Sequence, residues 1–221
     1  MTAYDSNGRR ASGKNAGFVT IGHSNRTSQT VIEMLRESQV GLLADVRAFP
    51  RSRSNPAFNI DSFPAELATH HIGYRHFPAL GGRRPRDPEV DETVNAFWRV
   101  QTFHNYADYA LGDEFQAALR DLQQLGNEQR LALMCSEAVW WRCHRRIIAD
   151  YLLAAGHDVM HLMAPGRVQN AELSKGAKIR ADGRLLYPAA NDVPGKAAEP
   201  GAPLCHYEEL AYRENEARAK K

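Results

Sequence analysis

Lysine is missing from the middle of this chain. Between Arg26 and Arg146 the cationic side chains are arginines, and lysine occurs only at Lys14 and from Lys175 onward. Arginine is the side chain for bidentate recognition of carboxylate and phosphate, whereas lysine is a hydrated point charge. Cysteine is scarce too: three in 221 residues, an odd number that argues against a disulfide framework and for a reducing, cytoplasmic compartment. No apolar run approaches the roughly 18 residues of a membrane span. The opening MTAYDSNGRRASGKNAG has no apolar stretch of the kind a secretory signal needs. A formal charge of +2 decides little by itself, so the placement of the arginines has to carry the argument.

The remaining composition is that of a globular domain with ragged ends. Residues 1–17 read as a disordered segment, 18–188 as one α/β domain, and 189–221 as a Pro/Ala/Gly linker with a charged tail or helix. Short apolar strands are expected in FVTIG, LLADV, YRHFPAL, RLALMC and HDVMHL. Between them lie helical patterns: SQTVIEMLRESQV with Thr27 or Ser28 as N-cap, DSFPAELATHHIG, VNAFWRVQTFHNYADYAL, DEFQAALRDLQQLG and WWRCHRRIIADYLLAAG. Alternating strands and helices mean βαβ units. The expected fold is a three-layer, Rossmann-like α/β domain with a mostly parallel sheet flanked by helices.

Ligands of such sheets sit beyond the carboxyl ends of the strands. His23, Ser24, Asn25 and Arg26 follow the first strand. Asp45 and Arg47 follow the second, with Ser52 and Arg53 further along the same loop. Arg83 and Arg84 follow the third, and Cys135, Ser136 and Glu137 follow the fourth. Chemistry-bearing residues thus gather at all four ends. The densest stretch is CSEAVWWRCHRR, Cys135 to Arg146. Read as a helix from Trp140, its buried stripe of Ile147, Ile148, Tyr151, Leu152 and Ala155 extends back to Cys143 and His144. Both would then point toward Glu137 at the end of the fourth strand. An acid, an imidazole and thiols at a helix N-terminus suit acid/base or nucleophilic chemistry. Zinc is the less favoured use of Cys135, Cys143, His144 and Cys205-His206. Their spacing is not C-x2-C, and adjacent side chains on a helix diverge by about 100°. No residue is assigned as a metal ligand, although a divalent metal stays open as a cofactor.

IGHSN, DVRAFPRSR, YRHFPALGGRR and above all MCSEAVWWRCHR resemble the family called domain of unknown function 488, with similarity running from about Phe18 to Pro188. The resemblance implies one compact α/β domain and no settled activity. The family signature corresponds to Cys135, Glu137, Cys143, His144 and Arg145, with Asp45, Arg47, Ser52 and Arg53 in the arginine loop. The family often carries a proline between the glutamate and the second cysteine. Here Val139-Trp140-Trp141 stands in that linker, a bulky pair expected to reshape the pocket mouth.

Three functional readings follow. The first is an enzyme acting on a nucleotide or nucleic acid, by hydrolysis or transfer at a glycosidic or phosphodiester bond. Its arginine loops hold phosphate, Glu137 and Asp45 supply carboxylates, and His144 relays a proton. The second is a thiol enzyme of rhodanese-like or redox type, with Cys135 or Cys143 as nucleophile. The third is a non-catalytic nucleic-acid-binding module.

Overall fold

The computed structural model describes residues 17–53 and 55–189. Apart from Gly17 and Ala189, the expected N-terminal segment and the C-terminal linker and tail lie outside the described residues, Cys205 and His206 among them. The first strand, β1 (Gly17–Gly22), and the fourth, β4 (Arg130–Cys135), run parallel side by side at the centre of a six-stranded sheet. On one side β4 is followed by β2 (Leu42–Asp45) and β3 (Gly73–His76). On the other, β1 is followed by β5 (Val159–Ala164) and β6 (Arg167–Asn170). All pairings are parallel except the last, an antiparallel hairpin. The central strands are apolar almost without interruption because helices cover both faces.

The pleat divides the core into two. Val19, Ile21, Ala132 and Met134 face α1 (Ser28–Glu37) and α2 (Phe63–Ala68). Phe18, Leu131, Leu133 and Cys135 face α3 (Gln101–Ala110), α4 (Asp113–Glu128) and α5 (Arg145–Ala154). The molecule is therefore the expected three-layer α/β domain. Thr27 caps α1, its Oγ1 accepting from the amide of Thr30 at 3.1 Å. Adjacent strands β1 and β4 send their following helices, α1 and α5, to opposite faces. That divergence opens a crevice at their carboxyl ends.

The structure departs from the sequence reading in three places. Residues 93–97 form turns, 98–100 are irregular, and α3 begins only at Gln101. The amide of Phe97 donates to the Tyr187 carbonyl at 2.9 Å, and Asn95 bridges Asp108 and the Tyr187 amide. Backbone groups engaged by the C-terminal segment are not available to a helix. Strands β6 and β7 (Lys178–Ile179) were not anticipated, whereas β8 (Leu185–Leu186), the antiparallel partner of β7, falls in RLLYP, a stretch that reads as a short ladder-like segment. Both β6 and β7 are exposed pieces without the apolar pattern of a central strand. Finally, α5 starts at Arg145 rather than Trp140, with consequences for the site below.

The closing segment is tied to α5 through Asp150, which is 1% exposed. Its Oδ1 accepts from the Ser174 amide at 2.9 Å and its Oδ2 from the Tyr187 hydroxyl at 3.0 Å. Burial outweighs these bonds and raises its carboxyl to about 6. A carboxyl whose pKa is higher folded than unfolded favours the fold in its protonated form. That advantage is lost as pH rises from about 4 through about 6. Wild type should therefore lose stability relative to Asp150→Asn across this window, by up to about 3 kcal/mol. Parallel urea denaturation at pH 4 and pH 7 measures the difference, and an unchanged gap would refute it.

Candidate active site

The site grows out of three strand ends. Beyond β4 the chain stays paired: His23 N donates to the Cys135 carbonyl and Ser24 N to that of Ser136, both at 2.9 Å, while Val46 N donates to Met134 O at 3.0 Å. Gly22 allows this close passage, since a Cβ there would collide with the Glu137 backbone carbonyl. The strand ends line a cavity of about 540 Å³, well within the size of small-molecule sites.

Its floor is made of sulfur and imidazole. Trp140–Arg142 form a single 3-10 turn, and Cys143 is extended at φ −130°, ψ 142°, before His144 opens α5. Cys143 and His144 are thus not successive helical residues, and the 100° divergence expected of them does not apply. His144 sets Nε2 at 2.9 Å from the Val46 carbonyl, which can only accept, so Nε2 carries the proton. Nδ1 then faces Cys143 Sγ at 3.7 Å and Cys135 Sγ at 3.9 Å. A side chain at Gly82 could not fit, because its Cβ would lie 2.7 Å from that nitrogen.

Arg145 stands behind the floor and is 1% exposed. It donates from Nη2 to the Glu137 carbonyl at 2.6 Å and from Nε to Cys143 Sγ at 3.2 Å. Among the described residues no carboxylate comes within ion-pair distance of it, so its anionic partner is the Cys143 sulfur. Burial raises a thiol, but the hydrogen bond from Cys135 and the Arg145 guanidinium outweigh burial and hold Cys143 below the ordinary thiol range. Cys135, donor to Cys143 and itself buried, is pushed up correspondingly.

A second charged unit forms one wall. Arg47 holds Asp45 bidentately, Nε to Oδ1 at 2.9 Å and Nη2 to Oδ2 at 2.6 Å, and Nη2 also donates to Phe58 O. Tyr74 Oη donates to Asp45 Oδ2 at 2.7 Å. Arg47 Nη1 lies 3.3 Å from His23 Nε2, which therefore accepts. The His23 proton sits on Nδ1, facing Ser24 O at 3.1 Å. Burial first, and Arg47 second, lower His23 to about 4, and its ring stacks on Phe58 at 4.3 Å. It is a neutral imidazole at physiological pH.

Of the residues singled out from the sequence, His23, Ser24, Arg47, Ser52, Arg83, Cys135, Glu137, Cys143 and His144 line the cavity. Asp45 does not; it is fully buried beneath Arg47, with its oxygens taken. Glu137 lies exposed at the mouth rather than facing Cys143 and His144 from within the core. Arg26 is committed to the carbonyls of Gly22 and Met163. Arg84 donates to Gly81 O and Pro78 O and lies over the Tyr109 ring. Arg145 lies behind the lining, and Asn25 and Arg53 are exposed away from it. Neither tryptophan of the linker reaches the mouth: Trp140 stacks on His161 at 4.3 Å, on the β5 side. Phe49, Arg51, Asn55, Tyr106, Ser136 and Arg142 are among the other lining residues. Asn55 had a readable signal, since its loop is Pro- and Ser-rich, and its Nδ2 donates to Ser24 O at 2.7 Å.

Fold and site together define an α/β protein with a thiol–imidazole floor at the carboxyl ends of two adjacent strands whose following helices go to opposite faces. The chain belongs to the family described as domain of unknown function DUF488, whose model matches residues 27–152, more than half of its length. No curated protein and no solved structure matches it. The matched span takes in the whole Cys135–Arg145 segment and the arginine loop, while His23 and β1 lie outside it.

Asp45 and Glu137 should respond very differently to amidation. Asp45→Asn strips the buried Arg47 of its counter-charge and should cost about 3–5 kcal/mol of stability. Glu137→Gln, exposed at the rim, should stay within about 0.5 kcal/mol of wild type. Chemical denaturation of the two variants compares them directly, and equal effects would show that the Asp45 pair is not a structural support.

Proposed function

We propose that the protein is an enzyme acting on a small phosphate-bearing substrate of nucleotide size, with the Cys135–Cys143–His144 floor as its reactive centre. The observation that carries this reading is the Arg145–Cys143 contact, a buried guanidinium whose anionic partner is a sulfur at the bottom of a cavity. A buried charge needs a counter-charge. Supplying it with a cysteine rather than a carboxylate places an electron-rich sulfur where a ligand can approach. Chemistry by a carboxylate pair is less well supported, because Asp45 is sealed off by Arg47 and Tyr74.

The walls suit an anion carrying an aromatic group. Arg83 is exposed and has no hydrogen bond or ion pair among the described residues, and Arg142 also lines the cavity. Phe49, 72% exposed at the mouth, offers a stacking face for a base. A polymer interface is less favoured. Arg51 is paired with Asp61, and Arg26, Arg84 and Arg145 are turned inward, which leaves few guanidiniums to track a backbone. Hydrolysis or group transfer on the bound anion is the reaction class.

Binding of a nucleoside monophosphate tests the reading, with loss of iodoacetamide reactivity at Cys143 as a second readout in chelator-containing buffer. Arg83→Ala should weaken binding by about tenfold or more, the worth of one charge-assisted hydrogen bond. A monophosphate that neither binds nor protects Cys143 would sink the proposal. Tighter, steeply salt-dependent binding of an oligonucleotide would favour a nucleic-acid module instead.

A further inference from the structure

We infer that the floor of the cavity is a binding site for a soft divalent metal ion, zinc by preference, ligated by Cys135 Sγ, Cys143 Sγ and His144 Nδ1. This deepens the proposed function and rests on it only in taking the floor to be the reactive part of the cavity. The three donor atoms all lie within 4.8 Å of one another. Around a tetrahedral zinc, with Zn–S about 2.3 Å and Zn–N about 2.05 Å, sulfur and nitrogen are about 3.6 Å apart. The observed separations from Nδ1 are 3.7 and 3.9 Å. The nitrogen–sulfur separations therefore lie within a few tenths of an ångström of those around an ion, and the two sulfurs are within 4.8 Å of each other.

The surroundings are those a ligating imidazole needs. A metal-bound histidine usually donates its other ring N–H to a carbonyl or carboxylate, which fixes tautomer and orientation. His144 does this through Nε2 to Val46 O at 2.9 Å, so the lone pair of Nδ1 is aimed between the two sulfurs. Cys143 Sγ is supported from outside by Arg145 Nε at 3.2 Å, a hydrogen bond that steadies thiolate charge. Gly82 keeps the approach to Nδ1 clear of side-chain atoms.

Softness and count select the ion. Two thiolates and one imidazole favour zinc over hard cations such as magnesium or calcium. Three protein ligands with the fourth direction open to a cavity is the pattern of a catalytic rather than a structural zinc site. The charge balance fits an anionic substrate. Two thiolates neutralise the ion, and Asp45 neutralises Arg47, which leaves Arg145 as a net positive charge behind the floor.

The test uses the full chain, reduced and stripped of metal, titrated with Co²⁺ as a spectroscopic probe and then with Zn²⁺ in competition. One equivalent of Co²⁺ should give a thiolate-to-cobalt charge-transfer band and the visible bands of a tetrahedral site, and Zn²⁺ should displace it. His144→Ala and Cys135→Ser should each weaken binding by more than the roughly 10–100-fold that losing an outer-shell partner costs. Lys178→Ala, on the exposed strand β7 and outside the cavity lining, should leave it unchanged. His144 is only half-buried, so its variant keeps the test decisive if a cysteine variant does not fold. Absence of the cobalt bands in the reduced wild type, or their persistence in His144→Ala, overturns the metal site. If the bands are absent while Arg83-dependent monophosphate binding and its protection of Cys143 remain, the metal inference fails alone and the proposed function stands.

Discussion

Arg145 is the group around which the cavity is organised. A guanidinium cannot shed its proton inside a protein, so its burial at the start of α5 demands acceptors on all sides. It finds them in the Glu137 carbonyl, just past β4, and in the Cys143 sulfur, just before α5. The same side chain thus bends the chain leaving the central strand and holds the thiol that faces the cavity. The 3-10 turn of Trp140–Arg142 is the length of chain needed to travel from one acceptor to the other. Without that detour α5 would begin earlier, and Cys143 and His144 would diverge around a helix.

The second buried arginine is handled in the opposite way. Arg47 is neutralised on the spot by Asp45, with Tyr74 and Phe58 O closing the network. Its remaining contact holds His23 as a neutral acceptor. One guanidinium is balanced by a carboxylate and leaves a dry, stiff wall. The other donates to a sulfur and lies behind the floor of the cavity. The two sit at the carboxyl ends of adjacent strands, so the electrostatic asymmetry of the site follows directly from the sheet order.

The central strands and the gathering of polar residues at their ends were legible because both depend on local pattern. Apolar runs such as RLALMC, followed at once by Ser136 and Glu137, announce a buried parallel strand and its ligand end. The start of α5 was not legible. Trp140–Arg142 has helix-compatible composition, and only the bonds of Arg145 to Glu137 and Cys143, with the distant contact of His144 to Val46, show where the chain extends at Cys143. For the same reason the sequence argued against metal ligation by adjacent residues, an argument valid on a helix and void beside an extended one. Asp45 was misleading in another way. A carboxylate at a strand end looks available until the third-strand residue Tyr74 is seen to cover it. Residues 93–100 carry a helical pattern, yet Asn95 and Phe97 are claimed by Tyr187, nearly a hundred positions away.

The position of β4 has a consequence for how the chain comes together. Strands β1 and β2 follow one another closely in sequence, but the sheet holds them apart by the width of one strand, and β4 fills that gap. During synthesis the early β-α units must wait, with two strand edges unpaired, until more than eighty further residues have emerged. Such non-local pairing slows folding and exposes sticky edges meanwhile. The strand that fills the gap carries Cys135 and leads directly to Cys143 and His144. The cavity floor therefore cannot exist before β4 has joined β1 to β2, and β5 and β6 then extend the sheet on the far side of β1.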